Sequence, residues 1–550
     1  MVINSLEFIV FVAATVLVYF LMPKKIKWVI LLLASYIFYF SNSTKLIVFL
    51  LITTLSVYLV ALRMGKIDKN AKEKIEEYKT KLNENTANIE DAAKLKENEK
   101  EFKKQIKHNA KKHKKAILLL GILINLGILI FLKYSYFLGN NFNSLLSMLH
   151  INTQLPLTKF ILPLGISYYT LQAISYIVDV YREKISPDKN IGKVALFLSF
   201  FPQIVEGPIG RYDKLAGQLY EPHAITYKNL TYGAQLMLWG YFKKMVLADR
   251  VAMYANTVFN NYASYSGLAV ALGIITYTIQ IYAEFSGGID IVRGVAEIFG
   301  INMEQNFTRP FFSKSVDEFW RRWNITLGTW LKDYVFYPVS LSKLGMKITN
   351  GSINKLKNSY IAKIIPVLLP LLCVWLCNGF WHGSGWKYIV YGLYYFAIML
   401  VGKFLAPIGN GLIKVLKINT KASSWKWFQI IRTTIFVCFG MLIFRADNLG
   451  IALSMFKSIF TTKDLGTVFS GQAFLLGGTG VGDIIISIVC LILIFGTSLY
   501  KEKGNNIRDK LAEQNLAFRW LIFYLLIFSI IIFGIYGRGY DVQSFIYGQF

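Results

Sequence analysis

Histidine is scarce in this chain, with five among 550 residues, and one of the five stands in a setting unlike the others. His382 lies in Asn378-Gly379-Phe380-Trp381-His382-Gly383-Ser384-Gly385-Trp386, directly after an apolar run that begins near Ile364. An ionisable side chain at membrane depth is costly, so it marks either a site or a polar partner. The glycines on both sides let other backbone or a substrate come close. An imidazole there can act as general base on a hydroxyl near neutral pH. The alternative is a structural histidine bonded to a neighbouring helix. His108 and His113 belong to a basic loop, and His150 and His223 to polar connections. None of these four suggests chemistry.

Two further stretches combine charge with aromatic residues. The first runs from Asp317-Glu318-Phe319-Trp320-Arg321-Arg322-Trp323-Asn324 to Trp330-Leu331-Lys332-Asp333-Tyr334. Trp320, Trp323, Leu327, Leu331 and Tyr334 recur every three or four residues, which predicts one face of an amphipathic helix with a tryptophan belt at the membrane interface. The density of Asp317, Glu318, Arg321, Arg322 and Asp333 beside them points instead to a wet lining. The second stretch, Phe200-Phe201-Pro202-Gln203-Ile204-Val205-Glu206-Gly207-Pro208-Ile209-Gly210-Arg211, has too much proline and glycine for a regular helix. A broken element presenting Glu206 and Arg211 suits either a cavity lining or a surface turn.

The elements that must position these residues follow from composition. Hydrophobic residues make up 54% of the chain and aromatics 15%, yet Lys+Arg number 60 against 32 Asp+Glu. Mean hydropathy is +0.43. Between Arg63 and Lys115 there are 17 Lys+Arg and 10 Asp+Glu, so much of the charge is concentrated in one segment. Such a chain is a membrane-embedded body with a solvated basic insertion. A soluble enzyme, a disulfide scaffold and a disordered protein are excluded. Cys373 and Cys377 share a helix face but have no second pair of ligands for zinc, so they read as small buried apolar residues and no metal site is expected.

Apolar runs near the 20 residues needed to span a bilayer lie around 5–22, 27–41, 45–62, 116–133, 160–180, 229–247, 267–283, 363–379, 387–404, 427–445, 484–500 and 519–536. They predict an all-α polytopic membrane protein with 10–13 transmembrane and re-entrant helices. The first run has no basic region before it and further spans follow at once, unlike a cleaved signal. Lysines fill Pro23-Lys24-Lys25-Ile26-Lys27 and 63–115, whereas the opening residues and Ser41-Asn42-Ser43-Thr44 have none. Only an N-terminus outside the cell puts both basic loops in the cytoplasm. Within 63–115, Ile75, Tyr78, Leu82, Ile89, Leu95, Phe102 and Ile106 recur at helical spacing, predicting a solvated helical hairpin. Its basic end, Lys103 to Lys115, would lie against anionic lipid head groups, a position that already accounts for the lysines without nucleic acid. The expected organisation is N-terminal helices over 1–62, the insertion over 63–115, and one catalytic membrane domain formed by 116–550 with 1–62.

Several blocks together resemble the membrane-bound O-acyltransferase family, in particular its bacterial branch of alginate O-acetyltransferases and the teichoic-acid D-alanyl transfer protein. They are Leu162-Pro163-Leu164-Gly165 running on to Asp179-Val180-Tyr181-Arg182, the 200–211 stretch, Phe242-Lys243-Lys244…Asp249-Arg250 and Glu284-Phe285-Ser286-Gly287. The series continues with Glu318-Phe319-Trp320-Arg321-Arg322-Trp323, Trp381-His382-Gly383, Phe444-Arg445-Ala446 and the closing Phe545-Ile546-Tyr547-Gly548-Gln549-Phe550. The 63–115 insertion lies outside the resemblance.

The resemblance implies a ring of tilted helices around a central catalytic tunnel in the bacterial plasma membrane. It implies His382 as the general base, with Asn324 at a second polar position where bacterial members commonly carry histidine. Asparagine cannot exchange protons near pH 7, so a positioning or hydrogen-bonding role is expected. Trp320, Arg321, Arg322, Trp323, Trp381, Glu206, Arg211 and Asp333 are the expected substrate-binding residues. The arginines, Arg445 included, can either meet an anionic donor such as coenzyme A or hold polar core structure. No tightly bound cofactor is expected. The donor would be acetyl-CoA or an acyl-carrier thioester in the cytoplasm. The acceptor would be an extracellular or cell-wall polysaccharide, reached through an extracytoplasmic partner of the SGNH-hydrolase type. The long segment after His382 favours acetyl transfer over D-alanyl transfer to teichoic acid. A transporter is the reading from another class, but it would call for an internal repeat, and none is visible. An inactive scaffold is the other alternative, suggested by Asn324.

Overall fold

The computed structural model describes residues 1–42, 44–84, 92–265, 267–357, 359–461, 466–476 and 478–536. The closing block Phe545–Phe550 and part of the predicted insertion lie outside these residues. No β-strand occurs among the described residues; there is one isolated antiparallel bridge, between Phe307 and Trp323. Eight helices among the described residues are long and apolar enough to cross a membrane. The other predicted crossings are shorter or interrupted: Leu6–Leu21, Lys27–Asn42, Ile166–Tyr181, and Tyr227–Tyr241 with its continuation. The run predicted at 160–180 begins late. Residues 151–163 have no regular structure and the helix starts at Ile166, because Pro156 and Pro163 deny the preceding stretch its backbone donors.

The chain forms two compact units. The first contains Ala14–Val205 and Ile209–His223. Its long helices Ile47–Glu84 and Ala92–Met148 pack on each other and on Ile166–Tyr181. In the apolar part Asn125 Nδ2 donates to the Ser56 hydroxyl at 3.0 Å and to the Gly121 carbonyl at 2.8 Å. The same helices run on past the apolar segment to make the predicted hairpin. Tyr78 and Phe102 stack across it with ring centroids 4.1 Å apart, and Lys79 faces Glu99 at 3.8 Å. At its base the buried Lys114 ammonium bonds Asp68 at 2.7 Å and Glu183 at 2.9 Å. Residues 63–84 and 92–115 of the predicted insertion are thus continuous with the membrane helices Ile47–Glu84 and Ala92–Met148.

The second unit contains Val2–Ala13, Glu206–Pro208 and Ala224–Phe550. Its organising pair is Tyr227–Tyr241 against Gly267–Ile298. Gly233 and Gly240 on one helix meet Gly294 and Gly287 on the other. A Cβ on Gly240 would stand 2.6 Å from the Gly287 carbonyl oxygen, and one on Gly233 2.6 Å from that of Gly294. Small residues here let two backbones touch, which is how helices associate tightly where lipid removes the hydrophobic drive. After Tyr241 the helix widens into a π-turn over Phe242–Ala248 and then resumes as Asp249–Asn260. The widening directs adjacent lysines inward. Lys243 Nζ bonds Asp290 at 2.7 Å and Ser286 at 2.9 Å, and Lys244 Nζ bonds Asp249 at 2.8 Å and Glu284 at 3.0 Å. Charges this deep persist only when paired.

The cysteines differ from expectation. Cys490 is buried and Cys373 half-buried, but Cys377 is exposed.

Candidate active site

His382 is the last residue of the helix Tyr360–His382, and the turn Gly383-Ser384-Gly385 leads into Trp386–Val415. The two helices touch closely: a Cβ on Gly379 would stand 2.4 Å from the Tyr388 carbonyl oxygen, and one on Gly392 2.3 Å from that of Trp375. This contact holds the imidazole in the core, 3% exposed. Three rings surround it, Trp381 at 4.8 Å, Phe444 at 5.1 Å and Tyr391 at 5.6 Å between centroids. Phe444 stands perpendicular to the imidazole, and Tyr391 nearly so at 85°. An imidazole inside an aromatic box is shielded from bulk water.

Asn324 is placed by a break in the stretch predicted as one amphipathic helix. Two short helices, Val316–Arg322 and Ile325–Leu331, replace it, followed by a π-turn over Lys332–Phe336. The break is pinned from outside. Thr308 N–H donates to the Arg322 carbonyl at 3.0 Å, Ile325 N–H to the Asn306 carbonyl at 3.1 Å, and Thr326 Oγ1 to Asn306 Oδ1 at 2.6 Å. These bonds force Asn324 into the left-handed region, φ 44° and ψ 54°, a conformation that asparagine tolerates better than most residues. Asn324 is 5% exposed, and its side chain does not cap the helix it precedes.

An aromatic chain runs between the two surroundings. Phe319 stacks on Trp323 at 5.4 Å and meets Trp320 edge-on at 5.5 Å. Trp320 lies 4.8 Å from Tyr395 and 6.4 Å from Tyr391, the ring beside His382. Trp320, Trp323 and Trp381 therefore belong to one aromatic core with His382, and the tryptophan belt predicted at the membrane interface is internal packing. The predicted arginines part company. Arg321 is exposed and faces Asp317 at 3.4 Å, while Arg322 is held by Glu318 at 2.7 Å and Glu502 at 3.0 Å. Arg309 shares the Glu502 carboxylate at 2.5 Å. Asp333 is half-buried in the π-turn. Glu206 and Arg211 are both buried, 1% and 6% exposed, so the 200–211 stretch is an internal element and not a surface turn. Glu206 falls in the second unit and Arg211 in the first.

A cavity of about 510 Å³ lies elsewhere in the second unit, walled by residues such as Ile274, Tyr282, Phe311, Ile435 and Ile494, and it includes neither His382 nor Asn324. Among the described residues no three His, Cys, Asp or Glu side chains come together as metal ligands. Two cations near His382 escaped sequence reasoning in part. Lys387 donates to the Ala446 carbonyl at 3.0 Å, and Arg445 to Asn256 and Asn260 at 3.1 and 3.2 Å. Arg445 stood within a family block, but Lys387 carried no signal except a lysine inside an apolar run.

Comparison with known proteins bears on this arrangement directly. The profile of the membrane-bound O-acyltransferase family matches residues 182–351, which include Asn324. A probable alginate O-acetylase of Pseudomonas syringae pv. tomato is 30% identical over 395 residues, 71% of this chain and 70% of the relative. The chain belongs to the membrane-bound O-acyltransferase family. It is accordingly a multi-pass membrane protein and an acyltransferase. A peptidoglycan O-acetyltransferase of Helicobacter pylori is 31% identical over 373 residues, covering 63% of this chain and 65% of the relative. A teichoic acid D-alanyltransferase of Bacillus subtilis is 29% identical over 290 residues, covering 51% of this chain and 68% of the relative.

Proposed function

We propose that this acyltransferase moves an acetyl group from a cytoplasmic thioester, acetyl-CoA, to a hydroxyl of an extracellular or cell-wall polysaccharide, with His382 as general base. The observation that carries the reading is the buried, ring-enclosed imidazole at the end of the Tyr360–His382 helix. The acceptor hydroxyl gives its proton to a ring nitrogen of His382 as its oxygen bonds the thioester carbonyl carbon. The tetrahedral intermediate then expels the sulfur, and the thiolate recovers that proton from the imidazolium. Asn324 Nδ2 donates to the carbonyl oxygen as charge develops there. The lysine pattern supports an N-terminus outside and a cytoplasmic 63–115 hairpin, and the family resemblance suggests an extracytoplasmic SGNH-type partner that relays the acetyl group.

D-alanyl transfer to teichoic acid is the second reading. The broader match to O-acetylases, 71% of this chain against 51% for the D-alanyltransferase, favours acetyl. The test supplies purified protein with labelled acetyl-CoA and, separately, labelled D-alanyl carrier protein. Turnover of acetyl-CoA is expected, and turnover of the carrier alone defeats the acetyl assignment. His382→Ala is expected to lower transfer at least about 100-fold with stability in detergent retained. Product formation at the parent rate by that variant would make His382 structural.

A further inference from the structure

The cavity of about 510 Å³ in the second unit takes no part in the chemistry at His382, because neither His382 nor Asn324 lines it. It lies between the helices Gly267–Ile298, Ser423–Arg445 and Val481–Glu502. Along the first of these it runs from Ala271 to Tyr282, about 16 Å at the rise of an α-helix. That is close to half of a hydrocarbon core about 30 Å thick, the depth of one leaflet. The walls are apolar and open sideways, with Ile275, Ile431, Ile435 and Phe495 exposed. Among the lining residues only Arg309 is charged.

Arg309 closes one end together with the Pro310–Phe312 turn that follows it. Phe311 meets Tyr282 at 5.2 Å and Phe312 stacks on Phe495 at 5.5 Å, so this end is bridged by rings. The Arg309 backbone lies in the left-handed region, φ 54° and ψ 60°, where a non-glycine residue is strained. Strain of this kind gathers at ligand clamps. Its Nε bonds Glu502 at 2.5 Å, and among the described residues no bond uses its two terminal nitrogens. Glu502 also holds Arg322 at 3.0 Å, and Arg322 has Glu318 at 2.7 Å, so these two cations and two carboxylates balance. Lys501 upsets the balance. Among the described residues it has no carboxylate within ion-pair distance, and the cations Lys243, Arg309 and Arg508 surround it against the single acid Asp290. It stands one turn beyond Ser498, which lines the cavity. An unbalanced ammonium and two unused guanidinium nitrogens therefore sit at one end of a leaflet-deep apolar groove.

We infer that this groove seats one acyl chain of an anionic glycerophospholipid, with the lipid phosphate held by Arg309 and Lys501. The guanidinium takes phosphate oxygens as a planar fork, and the ammonium adds a point charge. The uncompensated positive charge selects a headgroup that brings no amine of its own. The lipid is a resident ligand that joins three helices, and it is neither acyl donor nor acceptor. Because it binds only the folded chain, it raises stability by mass action.

The test titrates full-length protein, stripped of lipid in a neutral detergent, with phosphatidylglycerol, phosphatidylcholine or diacylglycerol of identical chains. Native mass spectrometry counts the lipid bound, and thermal unfolding is followed on the same samples. Phosphatidylglycerol is expected to half-saturate the protein at about tenfold lower concentration than phosphatidylcholine and to raise the melting temperature further. Lys501→Gln, which breaks no ion pair among the described residues, should remove most of that tenfold and leave phosphatidylcholine binding unchanged. Ile435→Trp fills the groove from an exposed position on its wall and should weaken all three lipids at least about tenfold. Ile431→Trp, on the same exposed face, is the second filling variant should the first fail to fold. Equal affinity for phosphatidylglycerol and phosphatidylcholine overturns the inference, as does undiminished phosphatidylglycerol binding in a folded filling variant. Tightest binding of diacylglycerol overturns it too and makes the groove a seat for neutral chains. A changed oligomeric state in a filling variant with lipid binding unaltered overturns it in favour of a partner helix. Acyl transfer is not read in any arm, so the outcome is independent of the role of His382.

Discussion

Asn324 offers a substitution series in which backbone and side chain can be separated. Its left-handed backbone, φ 44° and ψ 54°, costs an ordinary L-residue about 1–2 kcal/mol, and glycine nothing. Asn324→Gly therefore removes the amide while leaving the break between Val316–Arg322 and Ile325–Leu331 unstrained. Asn324→Ala removes the amide and adds about 1 kcal/mol of strain, a fivefold shift in the folding equilibrium. If the amide stabilises the oxyanion, both variants lose the same share of transition-state stabilisation, about 10²- to 10³-fold in kcat. Only the alanine variant should also lose stability. Asn324→His tests the chemistry from the other side, because histidine also tolerates positive φ and carries a ring N–H donor. It is expected to recover most of the activity lost by glycine. The assay is acetyl transfer from labelled acetyl-CoA by protein in detergent, with thermal unfolding followed on the same samples. Full activity in Asn324→Gly would refute the reasoning. The position would then be a backbone hinge whose amide does nothing.

Other outcomes follow from the packing. Lys244→Met strips the cation from Asp249 and Glu284 and should cost about 3–5 kcal/mol, measured as lost thermal stability. Neutralising all three residues together should recover most of that loss. Gly240→Ala places a methyl 2.6 Å from the Gly287 carbonyl oxygen and 2.8 Å from the Ile291 nitrogen, so the helices must separate at a cost of about 1–3 kcal/mol. An unchanged melting temperature would contradict that contact. At the hairpin base, the hydrogen bond from Lys114 holds the Glu183 carboxyl below the usual carboxylate range. A depressed folded value means the stabilisation is complete above about pH 4.3 and is lost as pH falls through the lowered one. With 62% of its side chain exposed, Glu183 contributes only about a few tenths of a kcal/mol. Glu183→Gln should flatten the acid side of the stability curve by that amount in a pH titration of unfolding.

What was legible in the sequence, and what was not, divides by the distance over which the physics acts. A membrane helix is specified by its own residues, because lipid accepts only segments that satisfy their backbone internally. Each of the twelve apolar stretches accordingly carries a helix, and Tyr78 and Phe102, picked out by spacing, do meet across the hairpin. The late start at Ile166 was missed because the apolar count outweighed Pro163. The stretch from Asp317 to Tyr334 was misread for a deeper reason. Its period is helical throughout, and what breaks it is Asn306–Thr308, brought alongside by the fold. Nothing within the stretch announces that intrusion except an asparagine, the residue that accepts the left-handed turn. The ion pairs are hidden in the same way. Lys244 and Glu284 are 40 residues apart, and Lys387 touches Ala446 across 59. Spacing along the chain can nominate a charged residue but cannot say whether a counterion meets it. For Lys243 and Lys244 the fold supplies one, and for Lys387 and Arg445 no carboxylate among the described residues does so. That difference, invisible in composition, separates cations paired with carboxylates from cations held by carbonyl and amide oxygens.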